Sequence, residues 1–338
     1  MKSKVKVRIL ISIAFLTASC FMLCLHIKKV NESAEKVAEV ETPAEVKPTV
    51  NIPTIENVVT TLCSDELEGR RVFSKGNEKA AEYIANIFKN IGLNPVFEDS
   101  YFQEYKQEFS YPTAKEGKES SGNSYGSYKT VHNVVGYISG TDSEKAVVIS
   151  AHFDHIGIKD GNIYRGALDN ASGVAALIEI AKKLKEASEV CPFKTNIIFC
   201  AFNGEEQLYK GSTAFVEQSK SKPWYNNMYN INIDCIGAKD GGKLAYANAD
   251  EYSKKLYDDV KSIMNKNNID FDEIRKMVGS DHRSFELIKK PNICICQEKM
   301  IGLTHKPTDI PDILDYKQIE KIADALCDFI ESNDGIVY

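Results

Sequence analysis

The chain lacks a cluster of Lys and Arg. Over its 338 residues, 42 basic residues are set against 48 acidic ones, for a formal net charge of -6. Phosphate binding needs a concentrated basic excess, so nucleic acid is excluded as a main partner. A repeated cysteine spacing is also missing. Of nine cysteines, Cys20 and Cys24 lie in the leader and the rest are scattered, which gives no disulfide framework. Cys294 and Cys296 alternate with Ile293 and Ile295, and Cys200 and Cys235 sit inside apolar runs, so all four read as small core residues. No internal repeat is evident. From Asn31 to Thr54 there is no aromatic residue, while Glu, Lys, Val and the prolines Pro43, Pro48 and Pro53 dominate. Such a segment cannot bury a core and reads as a flexible stalk.

What is present begins with the leader. Lys2, Lys4, Lys6 and Arg8 precede an apolar run from Ile9 to Ile27, and Lys28 and Lys29 close it. This pattern predicts an export signal or a membrane anchor over residues 1–30, either retained or cleaved or lipidated near Ala18-Ser19-Cys20. The remainder is then expected outside the cytoplasm, with the membrane touched only through this segment. Residues 31–54 are the expected linker and 55–338 a single folded domain.

Within that domain helical and strand-like periods alternate. Ala80, Ile84, Ile87 and Ile91 share one helical face ending at Gly92, and Val174, Leu177, Ile178, Ala181 and Leu184 share another. Strands are predicted over His132–Ile138, Lys145–Ala151, Thr195–Phe202, Tyr229–Cys235 and Asn292–Cys296. Further helices are predicted from about Ser212 and over Tyr252–Asn265, and a closing helix opens with the capping-box spacing Asp315 and Gln318. The polar, Tyr-rich stretch from Phe97 to Val131 reads as edge strands and loops. The alternation predicts an α/β fold, a mixed, largely parallel central sheet with helices on both faces. Ligands in such sheets bind beyond the carboxyl ends of the strands.

His, Asp and Glu fall at those ends. Val147-Val148-Ile149-Ser150-Ala151 runs into His152-Phe153-Asp154-His155, and the strand Thr195–Phe202 runs into Asn203-Gly204-Glu205-Glu206. Ile231-Asn232-Ile233 runs into Asp234, the last strand leads to His305, and Gly166 to Gly173, containing Asp169, enters a helix. Imidazole with carboxylate is a zinc ligand set, and two His with three carboxylates suit two ions sharing one bridging carboxylate around a hydroxide. Asp154 is placed to accept the second ring N–H of His152. One member of Glu205-Glu206 can ligate while the other remains free as a general base. Two Zn²⁺ set against three ligating carboxylates, a hydroxide and a free glutamate leave a slight negative excess, which favours a cationic α-amino group. His155 lies in the same turn as His152 and is the alternative ligand, or otherwise a pocket wall. Asp281-His282-Arg283 reads as a helix N-cap or as pocket lining, His132 as ordinary, and Glu68-Gly69-Arg70-Arg71 as a turn with solvated charges.

These motifs resemble metallopeptidase family twenty-eight, the co-catalytic di-zinc aminopeptidases. The matching runs are Ala151-His152-Phe153-Asp154, Gly166 through Gly173, Glu205-Glu206 with Gly211-Ser212, Asn232-Ile233-Asp234 and His305 through Asp309, with Ser64 through Arg70 upstream. The resemblance implies a zinc-exopeptidase, phosphorylase/hydrolase-like fold and two zinc ions per chain. One ion is implied on His152, Asp169 and Asp234, and the other on Asp169, Glu206 and His305. On the same resemblance Asp169 bridges, Glu205 is the base, and the peptide bond after the bridging aspartate, here Asp169-Asn170, is one that is often cis in the family. The implied substrate is a peptide with a free N-terminus. Lys306 and Thr304 depart from the family pattern at the last histidine. Three other functions share the scaffold: a mono-zinc glutaminyl-cyclase-like acyltransferase, a dipeptidase or carboxypeptidase using Arg283 for the substrate carboxylate, and a non-catalytic binding relative.

Overall fold

The computed structural model describes residues 52–109, 127–247, 251–273 and 279–338. The predicted leader and nearly all of the stalk lie outside the described residues. Among those described, no helix is long and apolar enough to cross a membrane.

Seven helices are described: α1 (Ile55–Leu62), α2 (Lys75–Ile91), α3 (Ser172–Val190), α4 (Lys210–Ser219), α5 (Lys254–Lys266), α6 (His282–Leu287) and α7 (Tyr316–Ser332). Three of them start at a side-chain cap, which satisfies backbone N–H groups that lack an intrahelical partner. Thr54 Oγ1 accepts from Asn57 N at 3.2 Å, and Ser74 Oγ from Asn77 N at 3.1 Å. The Asp315 carboxylate accepts from Lys317 N and Gln318 N at 3.1 and 3.3 Å, so the spacing seen in the sequence does cap α7. Gly92 ends α2 in a left-handed conformation with φ 84°.

The strands are β1 (Asn94–Pro95), β2 (Phe102–Phe109), β3 (Ser127–Ile138), β4 (Asp142–His152), β5 (Gly157–Lys159), β6 (Asn162–Tyr164), β7 (Thr195–Phe202), β8 (Asn227–Ile233), β9 (Leu244–Ala247), β10 (Phe271–Glu273) and β11 (Asn292–Gln297). The main sheet runs β1-β3-β7-β4-β8-β11-β9-β10, with β2 also paired to β3. Its centre, β7-β4-β8-β11, is parallel. Antiparallel pairing of β3 with β7 and of β9 with β11 closes both margins.

Alternation along the central strands sends side chains to two cores. Val147, Ile149 and Ala151 pack with Ile197, Phe199 and Ala201 under α1, α2, α3 and α7. Ala146 and Val148 pack with Ile198, Cys200 and Phe202 against Phe215 of α4 and Phe285 of α6. Both faces of the parallel centre are therefore covered, as continuous apolar runs require. The strand expected to reach Cys235 ends at Ile233, and Cys235 turns into the left-handed region with φ 60°. Asp234 is thus the first residue beyond β8, on the same rim as the end of β4.

Candidate metal centre

Four of the predicted ligands leave the carboxyl rim of the parallel strands. His152 is the last residue of β4 and Asp234 follows β8. Glu206 lies in the turn after β7, and His305 lies in the segment after β11. The fifth, Asp169, sits in the turn that opens α3, and its peptide bond to Asn170 is cis. The structure brings all five together. His152 Nε2 lies 3.3 Å from Asp169 Oδ1 and 3.4 Å from Asp234 Oδ1. On the other side of Asp169, His305 Nε2 is 3.0 Å from Asp169 Oδ2 and 3.0 Å from Glu206 Oε1. His155 joins this second group, with Nδ1 2.9 Å from Glu206 Oε1 and 3.9 Å from Asp169 Oδ2. Within each group, His152-Asp169-Asp234 and His155-Asp169-Glu206-His305, the donor atoms all lie within 4.8 Å of one another.

His305 Nε2 hydrogen-bonds to Glu206 Oε1 at 3.0 Å, but the other two imidazoles fit metal ions better than hydrogen bonds. His152 Nε2 and both ring nitrogens of His155 are buried and have no aligned hydrogen-bond partner, although carboxylate oxygens stand beside them. A buried imidazole nitrogen left in this way is costly unless a ligand takes its lone pair. Donors 2.0–2.2 Å from a tetrahedral zinc stand about 3.3–3.6 Å apart, close to the separations around Asp169.

Neighbouring residues hold the donors in place. Asp154 is fully buried, and its carboxylate accepts from Glu205 N at 3.1 Å and Glu206 N at 3.3 Å. The expected contact with His152 is made by the Asp154 backbone carbonyl, 3.1 Å from Nδ1, while the carboxylate stands at 3.6 Å. Asp154 therefore fixes the histidine through its main chain and the Glu205-Glu206 turn through its side chain. Asp309 accepts from Leu168 N at 2.6 Å and Asp169 N at 3.2 Å. Asn170 ties the same turn to the end of β8, donating to Ile233 O at 2.9 Å and accepting from Cys235 N at 3.2 Å. A Cβ at Gly173 would lie 2.3 Å from Asn170 Oδ1 and 2.6 Å from Ile233 O, so this junction requires glycine.

Arg70 departs from its sequence reading. The expected turn with solvated charges contains a fully buried guanidinium. It donates to Phe153 O at 2.7 Å, Arg165 O at 2.7 Å and Gly166 O at 2.9 Å, and also to Leu62 O. Its carbonyl accepts from His155 N at 3.2 Å. One side chain thereby joins the His152–His155 turn to the strand of chain that leads into Asp169. Asp281 also departs from the N-cap expectation, because its side chain makes no cap bond. Its buried carboxyl has no aligned donor. The adjacent Ser212 hydroxyl also meets Tyr209 O and Ser284 Oγ. His132 pairs with Glu104 at 3.4 Å on the surface, an ordinary contact.

Negative charge dominates the site. Burial pushes the Glu205 carboxyl well above the usual carboxylate range, and Asp234, Asp281 and Asp169 push the same way against His152. Burial likewise raises Asp281, to about 7. Hydrogen bonds that the His305 imidazole donates to the Asp169 and Glu206 carboxylates push it up to about 10. Bound cations would offset the mutual repulsion of these carboxyls, which adds to the effect of burial.

An α/β sheet with His, Asp and Glu gathered at its parallel rim defines a class of metal-binding proteins, and comparison with known sequences narrows it. The pattern of peptidase family M28 matches residues 133–330, and the chain belongs to that family. Aminopeptidase YwaD of Bacillus subtilis is 29% identical over 143 residues, covering 41% of this chain and 29% of that protein. A glutamate carboxypeptidase 2 homolog of Caenorhabditis elegans is 32% identical over 111 residues, covering 32% of this chain and 14% of that protein. The chain thus matches well under half the length of these curated relatives. Among solved structures, a zinc aminopeptidase from Bacillus subtilis superposes with a TM-score of 0.66 at 15% identity, covering 83% of this chain and 96% of that one. This likeness is one of fold.

Proposed function

We propose that the chain is a di-zinc aminopeptidase exported from the cytoplasm, with residues 1–30 as leader or anchor, 31–54 as linker and 55–338 as the catalytic domain. The observation that carries this reading is the pair of donor groups sharing Asp169, with Glu205 beside them. His152, Asp169 and Asp234 would hold one zinc, and Asp169, Glu206 and His305 the other. Held there, the two ions supply Lewis acidity, which makes water nucleophilic at neutral pH and polarises the scissile carbonyl.

The protein's own groups do the rest. Glu205, its carboxyl raised by burial and by neighbouring acids, accepts the proton of the attacking water and passes it to the departing amine. Asp154 orients Glu205 and Glu206 through their backbone N–H groups. Charge argues for an exopeptidase acting at the N-terminus. Three ligating carboxylates, a hydroxide and Glu205 outweigh two zinc ions by one charge, which favours an α-ammonium. Arg283, the cation a carboxypeptidase would need, is already paired with Glu286. Two donor groups also favour two ions over the single zinc of a cyclase-like acyltransferase.

Glu205→Gln should keep its zinc yet lose at least about 10²–10⁴-fold in turnover of an aminoacyl-p-nitroanilide. A Glu205→Gln protein that remains active, or wild type that cleaves N-blocked peptides as well as free ones, contradicts the reading.

A further inference from the structure

A cavity of about 300 Å³ lies between α2 and β3, and none of its lining residues belongs to the metal centre. That volume is at the lower end of the range of ligand pockets, ~300–1,000 Å³. Phe73, Ala81, Phe102 and Val131 give it apolar walls, while Glu78 and Glu82 line it from the helix and Lys129 and Thr130 from the strand. The Lys129 ammonium stands over the Phe73 ring, 5.7 Å from its centroid. Glu78 and Glu82 are exposed and sit four residues apart on α2, where like charges repel, and among the described residues neither forms an ion pair.

The strand wall is a sheet edge. β3 pairs with β7 only from Val134 to Ile138, so the residues before Val134 have no strand on that side. Val135 N donates to Tyr101 O, which turns the odd-numbered backbone groups of β3 toward the β2 side. Backbone groups alternate in direction along an antiparallel strand. Those of Thr130 and His132 therefore turn the other way, where His132 O accepts from Asn203 Nδ2 at 3.1 Å. Among the described residues no group hydrogen-bonds to Thr130 N or O. Thr130 thus presents half of the double hydrogen bond by which two residues pair across an antiparallel ladder.

We propose that this cavity binds a free amino acid with an apolar side chain. Its ammonium donates to Thr130 O, its carboxylate accepts from Thr130 N beside Lys129, and its side chain enters the apolar walls. The carboxylates of α2 add attraction for the ammonium. Asn203 closes the cavity, its amide paired with that of Asn77 at 2.8 and 3.0 Å, and stands two residues before Glu205. The ligand therefore shares a wall with the turn that leads to Glu205. Such a ligand is of the class that an aminopeptidase releases; its supply rests on the proposed function, and its binding does not.

The test is a calorimetric titration of the zinc-loaded full chain with L-leucine, on wild type, Thr130→Pro and Ala81→Phe, with circular dichroism to check that the variants fold. Proline removes the one N–H that has no partner and should weaken binding by about 10-fold or more, the cost of a hydrogen bond to a charged group. Phenylalanine fills the cavity and should abolish binding. N-acetyl-L-leucinamide, uncharged at both ends, should bind wild type at least about 10-fold more weakly than leucine, a comparison that needs no variant. Wild-type crystals soaked in leucine should show the ligand against Thr130. No saturable heat with wild type, ligand density at the metal rim alone, equal binding of the blocked ligand, or binding that both substitutions leave unchanged overturns the inference. Each of these results leaves the aminopeptidase reading standing, because turnover and zinc uptake decide that reading.

Discussion

Asp281 shows how a single carboxyl in this site differs from a surface one. It is buried without an aligned donor, and burial, with Asp154 and Asp234 nearby, holds its pKa near 7. In the unfolded chain an aspartate titrates at about 3.9. As pH rises from about 4 to 7 the unfolded state therefore gives up a proton that the folded state keeps, and stability falls across that window. Asp281→Asn in the metal-free protein should raise the unfolding free energy at pH 8 by ~1–3 kcal/mol, the usual cost of an unsatisfied buried polar group, with the gain shrinking toward pH 4. Urea denaturation at the two pH values measures it. An equal effect at both would show that Asp281 is ionised throughout. Asp309 differs, because two backbone N–H groups at 2.6 and 3.2 Å satisfy it and burial raises it only to about 6.

At the scale of elements, the long pieces were legible and the short ones were not. β7 matches its predicted bounds, and β4, β8, β11, α2, α3 and α7 fall close to theirs. Their apolar runs are continuous or repeat with the helical period, so the signal is local. The hairpin β5–β6 and the strands β9 and β10 have only three or four residues each and leave no period to detect. Arg70 was misread for a related reason. Its partners at Phe153, Arg165 and Gly166 are 83 to 96 positions away, and nothing within Glu68-Gly69-Arg70-Arg71 reveals them. The convergence of the five residues expected to hold metal was legible because each follows a recognisable strand or enters a helix, and His155, expected as an alternative to His152 or a pocket wall, lies beside Glu206. Because Arg70 binds four carbonyls from a buried position, Arg70→Ala should lower the unfolding free energy by about 3 kcal/mol or more. Arg70→Lys should restore little of this, since an ammonium cannot reproduce the planar fork. Chemical denaturation of the three proteins checks it, and full rescue by lysine would mean that charge alone matters there.

Over the whole molecule, the parallel centre of the sheet delivers His152, Glu205, Glu206 and Asp234 to one rim, and the turn into α3 adds Asp169 between them. Helices on both faces bury the strands that end at this rim, so the turns carrying these residues spring from rigid elements, as a preorganised centre requires. On the proposed reading this rim cages two cations around Asp169. Crystals of the zinc-loaded protein, measured at the zinc absorption edge, test it most directly. An anomalous difference map should show two peaks, both touching Asp169, one reached by His152 and Asp234 and the other by Glu206 and His305. A single peak, or peaks away from Asp169, would contradict it.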